Sequence, residues 1–276
     1  MMNNFDKMQQ FLIDTKTPHT VKICNNSTSI SVNKKTYFYS DNDKIDSKYL
    51  NFIKQVKREV CDNAERLNIK HCKPQYFAFN LPHQKKTVIK NAVEIDINGA
   101  YWQTAYNFGL ITNETYEQGL LMPKKIRLMA FGSAATLKDV FVFDGENYSD
   151  SYNEFNQYGR NAFFAVANHV SIVMREALEM IPGVFSLFWV DAIFVHSMYQ
   201  DFITRSLESA GYEYKIIPVP IVVITPGDDI RPDKVQMIVQ KNNIYPFYER
   251  KNFQKHKKNN KKFVNKIIKN PLFARK

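Results

Sequence analysis

The sequence predicts an α+β fold, and three observations carry that reading. Apolar runs of strand length alternate with helical repeats in no regular strand-helix-strand order, which points to a sheet covered by helices on one face rather than a doubly wound array. Two of the strand-like runs are each interrupted by one carboxylate, Asp96 and Asp191. A dense basic segment closes the chain. These features divide the 276 residues into an N-terminal α+β lobe or extension over 1–90, a central region over 91–230, and a basic helical segment over 231–276.

In the first region, Ile30, Val32, Thr36, Phe38 and Tyr39 form short alternating runs around Asn33-Lys34-Lys35, the pattern of a hairpin. Leu50, Phe52, Ile53, Val56, Val60, Ala64 and Leu67 then recur at helical spacing, with Asp46 or Ser47 as the cap. Tyr76 to Phe79 reads as a strand closed by Asn80-Leu81-Pro82.

The central region opens on a strand through Asp96, turns at Gly99, and continues as a helix through Tyr101, Trp102, Ala105 and Tyr106 toward Gly109. Pro123 suits the first turn of a short basic helix, Lys124 to Gly132. Val140 to Phe143 predicts a strand turned by Asp144-Gly145, and Tyr152 to Ile181 predicts one long helix. A hairpin or bent strand over Val184 to Val195 carries Asp191, and a helix over Tyr199 to Ala210 stops at Gly211. Tyr212 to Thr225 is strand-rich, but Pro218 and Pro220 predict an edge, bend or bulge there.

Composition narrows the function classes. Cys24, Cys61 and Cys72 are widely spaced and form neither a zinc-ribbon pattern nor a disulfide framework. With no long apolar stretch and no leader-like N-terminus, the expectation is an intracellular, cytoplasmic protein without a membrane partner. The net charge of +11 is concentrated in the tail, where Glu249 to Lys276 holds eleven lysines or arginines against one glutamate. Such density is favourable beside a polyphosphate, and Phe253, Phe263, Ile267 and Phe273 interleave it as docking or stacking groups. Primer-template DNA or single-stranded nucleic acid is the expected partner, a merely solubilising tail the plain alternative.

A carboxylate inside an apolar strand loses hydration unless a cation or a hydrogen-bond network compensates it, and a divalent ion shared by Asp96 and Asp191 is one such solution. Glu94, on the same strand face as Asp96, reads as an ordinary salt-bridge residue before an auxiliary ligand. Asp228 and Asp229 read as a turn, and His169 and His196 lack partners at metal-ligand spacing.

The segment Asp96-Ile97-Asn98-Gly99-Ala100-Tyr101-Trp102 resembles the first palm motif of family B DNA polymerases, D-F-N-S-L-Y-P, in register at Asp96, Asn98 and Tyr101. Trp189-Val190-Asp191-Ala192-Ile193-Phe194-Val195 resembles the later D-T-D-S-I-F-V, with Trp189 in place of the first aspartate and Ala192 in place of the serine. Lys124 to Gly132 is similar to K-x-x-x-N-S-x-Y-G at the lysine, the aromatic Phe131 and the glycine, while Leu128 and Met129 replace the polar pair.

The resemblance implies a polymerase-like palm and a minimal DNA-directed DNA polymerase or related nucleotidyltransferase of viral or mobile-element replication, in the host cytoplasm if viral. Asp96 and Asp191, with the carbonyl of Ile97, would hold Mg²⁺ or alternatively Mn²⁺ for two-metal phosphoryl transfer from a deoxynucleoside triphosphate. Tyr101 would lie under the incoming sugar, a core aromatic being its equal alternative, and Lys124, Lys125 or Arg127 would meet the triphosphate. Only 27 residues separate Asp96 from Lys124, so the fingers are expected to be reduced, and no exonuclease entrance is present. Missing parts would come from a replication protein or a second copy. A noncatalytic nucleic-acid-binding protein with a degenerate palm is the competing expectation.

Overall fold

The computed structural model describes residues 4–24, 27–40, 47–80, 87–225, 236–240 and 248–250. Among the described residues two compact units emerge, the first within 1–52 and 135–157, the second within 53–134 and 158–250. The N-terminal unit is therefore shorter than the 1–90 stretch read from sequence and recruits a later segment.

In the first unit, α1 (Asn4–Asp14) lies with five antiparallel strands: β1 (His19–Cys24), β2 (Ser27–Val32), β3 (Lys35–Ser40), β6 (Lys138–Phe143) and β7 (Tyr148–Glu154), in the order β3-β2-β1-β6-β7. Neither α1 nor β1 is among the elements read from the sequence. The expected hairpin forms, with Asn33 and Lys34 both at positive φ, the geometry of a tight two-residue connection. Phe5 and Leu12 of α1 pack on Val21, Ile23, Ile30, Val32 and Phe141 to make the core. The long helix expected from Tyr152 begins later, because Tyr148 to Glu154 pairs with β6 across the Asp144 turn. Asp144 Oδ1 accepts from the N–H groups of Glu146 and Asn147, each at 2.8 Å, and so fixes that turn.

The second unit holds a seven-stranded sheet ordered β12-β11-β10-β5-β9-β8-β4. Its strands are β4 (Phe77–Phe79), β5 (Thr87–Ile97), β8 (Leu187–Trp189), β9 (Ala192–His196), β10 (Tyr214–Thr225), β11 (Gln236–Gln240) and β12 (Tyr248–Arg250), all neighbours antiparallel. Val93, Ile95 and Ile97 of β5 and Ile193 and Val195 of β9 pack against α6 (Gln157–Glu179) and α7 (Gln200–Ser209). On the other face, Ala92, Ala192, Phe194, Val219 and Val222 form a second apolar cluster with Leu187, Trp189 and the partly buried Phe77, Phe79 and Phe185. Helices thus cover one face and aromatic side chains the other.

β10 rules out the edge position among the alternatives its prolines raised, since it is one 12-residue strand in the sheet interior. Its pairing with β5 runs from Tyr214↔Ile97 to Val219↔Ala92 and resumes at Ile221↔Lys90. Pro220 falls in the gap opposite Asn91, whose φ is +48°, so the missing proline N–H coincides with a local bend of both strands.

Between β5 and β6 come α3 (Ala100–Asn107), α4 (Asn113–Leu120) and α5 (Lys124–Gly132). α4, unread in the sequence, is capped by the Thr112 hydroxyl, which accepts from the Thr115 N–H. It packs closely on α3: a β-carbon on Gly119 would lie 2.2 Å from Trp102 Cζ2, and the Trp102 Nε1–H donates to the Tyr116 carbonyl at 3.2 Å. The remaining helix, α2 (Ser47–Arg66), matches its apolar repeat. Within 231–276 the described residues are the strands β11 and β12, not helix; residues 251–276, and Asp228 and Asp229, lie outside the described residues. Among the described residues no helix is long and apolar enough to cross a membrane.

Candidate active site

β5 ends at Ile97, and the chain turns through Gly99, whose φ of +60° and ψ of +33° a side chain would strain, directly into α3. The turn is held from several directions. The Asn98 N–H donates to the Glu213 carbonyl at 2.8 Å, Gln103 Nε2 donates to the Gly211 carbonyl at 2.6 Å, and the Thr104 and Tyr212 hydroxyls share a buried hydrogen bond of 2.6 Å.

Asp191 does not interrupt a strand; it occupies a two-residue hairpin turn with Val190 between β8 and β9. Val190 has φ +60°, uncommon for a β-branched residue and worth about 1–3 kcal/mol of local strain. Its N–H donates to the Tyr76 carbonyl at 2.7 Å, while the Ile97 N–H donates to the Asp191 carbonyl at 2.9 Å.

Asp96 is 9% exposed and pairs across the ladder with Ala192, the residue after Asp191. Asp191 in the turn thus precedes the ladder partner of Asp96, and the two side chains keep different company. Asp96 Oδ2 receives the Lys215 ammonium at 2.6 Å from the paired position on β10. Asp191 lines a small pocket together with Tyr101, Lys124, Arg127, Leu128 and Phe131. Lys124, Arg127, Leu128 and Phe131 follow i, i+3, i+4, i+7 spacing and form one stripe of α5; Lys125 is off that stripe and does not line the pocket.

Tyr101 packs as the core aromatic that was one of its two readings. It lines the pocket, packs against the helix-side core, and lies over Phe163 with ring centroids 6.0 Å apart. Burial first, then Tyr76 and the nearby Asp191 charge, push its hydroxyl well above the ordinary phenol range, so it stays protonated as a donor. Phe163 also stacks on Phe131 at 5.7 Å, which makes it the wedge joining α3, α5 and α6. No periodic signal distinguished Phe163 from its neighbour Phe164.

Trp189, standing where the family motif has an aspartate, is 6% exposed and stacks on Phe77 at 5.7 Å within the apolar cluster. Glu94 lies on the Asp96 face and is 2% exposed. His169 meets Phe108 edge-on, with its imidazole pKa lowered by burial, and His196 Nδ1 accepts from the Met198 N–H at 3.2 Å.

A divalent ion held by both carboxylates would take the rest of its octahedron from water, a main-chain carbonyl such as that of Ile97, and phosphate oxygens. Among the described residues no cluster of three or more His, Cys, Asp or Glu side chains is available to form a closed protein cage. Comparison with known families, with curated proteins and with solved structures finds no match to this chain.

Proposed function

We propose that the chain is a minimal nucleotidyltransferase, resembling a DNA-directed DNA polymerase of family B, with its reaction centre at Asp96 and Asp191. The observation that carries this reading is the pocket in which one aspartate, two cations and a buried tyrosine converge beside the second aspartate's strand. Arg127 and Lys124 supply the charge and fork geometry that a triphosphate needs, and the protonated Tyr101 would offer its hydroxyl as a donor.

A divalent ion bound by Asp96 and Asp191 would lower the pKa of an attacking hydroxyl and neutralise the leaving pyrophosphate. The residues themselves orient the substrate. Leu128 and Phe131 offer an apolar wall to its sugar or base, while Lys124 and Arg127 draw the phosphates to one side. The basic sequence from Lys251 to Lys276 would grip the nucleic-acid backbone.

The competing reading, a nucleic-acid-binding protein with a degenerate palm, draws on Trp189 in the apolar cluster and on the lysine already paired with Asp96. Primer extension with Mg²⁺ or Mn²⁺ separates the two. Extension by the parent, lost in Asp96→Asn and Asp191→Asn variants that keep their fold and DNA affinity, supports catalysis. DNA binding without extension in the parent supports the alternative. Truncation after Arg250 should weaken DNA binding and flatten its salt dependence by several phosphate contacts; an unchanged salt slope removes the tail from the interface.

A further inference from the structure

We infer that Lys215 is a resident counter-cation for Asp96, which a divalent ion must displace before the site is loaded; the inference rests on the two-carboxylate reading above. Lys215 and Asp96 are register partners on adjacent strands, with Nζ and Oδ2 2.6 Å apart. Their exposures differ in a telling way: the Asp96 side chain is 13% exposed and the Lys215 side chain 48%. The carboxylate is therefore fixed in the sheet while the ammonium, on a flexible four-carbon stem, has an open route to solvent.

The neighbours of Asp96 on the β9 side supply no alternative charge. Ala192 faces it directly, and the next pair on the same sheet face places Phe194 across from Glu94. Lys215 thus provides the visible charge compensation for Asp96 in the metal-free protein. A half-exposed pair of this kind is weak enough to exchange, but an ammonium left beside an incoming ion would repel it. Metal entry and lysine departure are consequently one event. Because phosphate oxygens would add negative charge at the same place, a bound triphosphate favours the exchange, and full loading follows nucleotide arrival.

Two measurements on the full chain, made without nucleic acid, test this. The first is Mn²⁺ affinity by calorimetry or by electron paramagnetic resonance. Lys215→Met and Lys215→Gln should each bind Mn²⁺ about fivefold more tightly than the parent, and Asp96→Asn should abolish the gain when combined with either. Equal or weaker binding by both lysine variants overturns the inference while leaving the two-carboxylate reading intact. Absence of Mn²⁺ binding in the parent and in both lysine variants overturns that reading and this inference together.

The second measurement needs no variant. Acetylation of Lys215 by an amine-reactive ester, followed by mass spectrometry, should rise about threefold in saturating Mg²⁺ as the ammonium is released. Labelling that does not change in metal-saturated parent overturns the inference.

Discussion

The two sheets handle charge in opposite ways. In the first unit, Glu154 is shared by Lys22 and Lys138, the latter at 3.0 Å, and all three side chains are about one-third exposed. Water screens that network, and the sheet needs it only modestly. In the second unit, Glu94 and Asp96 lie 2% and 9% exposed in a sheet that is apolar on both faces. Carboxylates in such a setting are not required by the fold, which would be served as well by aliphatic residues. The difference separates charge that water screens from charge that the protein itself must compensate.

Breaking the second arrangement should have the largest effect. Asp96→Asn and Asp191→Asn are expected to lower primer extension at least about a thousandfold with little change in unfolding midpoint; equal loss of stability and activity would make these residues structural. Next is the helical cover of that sheet. Gly119→Ala drives a β-carbon into Trp102 and should destabilise the second unit by about 3 kcal/mol, read by chemical denaturation. Gly132→Ala, with nothing within 4 Å, serves as the neutral control. Both tryptophans, Trp102 and Trp189, belong to the second unit, so their fluorescence reports it apart from the first.

The first unit should instead reveal itself through pH. His19 is 4% exposed and burial depresses its pKa. The unfolded imidazole takes a proton near pH 6.5 that the buried ring resists, so this contribution is whole above that pH and declines as pH falls below it. A circular-dichroism loss in this range, without a tryptophan signal and absent from His19→Gln, is the expected result. Glu154 acts lower. Its two lysines hold its pKa below the ordinary value of 4.5, so its stabilisation is present above that pH and disappears as pH falls through the folded value. Glu154→Gln should cost under about 1 kcal/mol, and less in high salt.

Local chemistry was legible in the sequence wherever neighbours in space are neighbours in the chain. The Asp96-to-Tyr101 turn, the basic helix α5 with Lys124 and Arg127, and the helix that follows the hairpin and stops at Gly211 all follow from spacing, capping and glycine. What escaped depends on pairing between distant segments. Lys215 looks like a single charge in an apolar strand until the β5–β10 register sets it beside Asp96. Val140 to Phe143 has the pattern of any strand, and only its pairing with β1 assigns it to the first unit. Pro220 argues against an interior strand until Asn91 is found opposite it.

That same long-range pairing has a consequence for biosynthesis. β1 is the middle strand of its sheet, with Thr20 opposite Ser31 on one side and opposite Val142 on the other. Until the ribosome has released the chain through β6, the hairpin partner completes only one flank, and the other presents an open rim of amide and carbonyl groups beside Val21 and Ile23. Nascent chains stalled before Phe143 should therefore be captured by holdase chaperones or self-associate, whereas those extended past Glu154 should not.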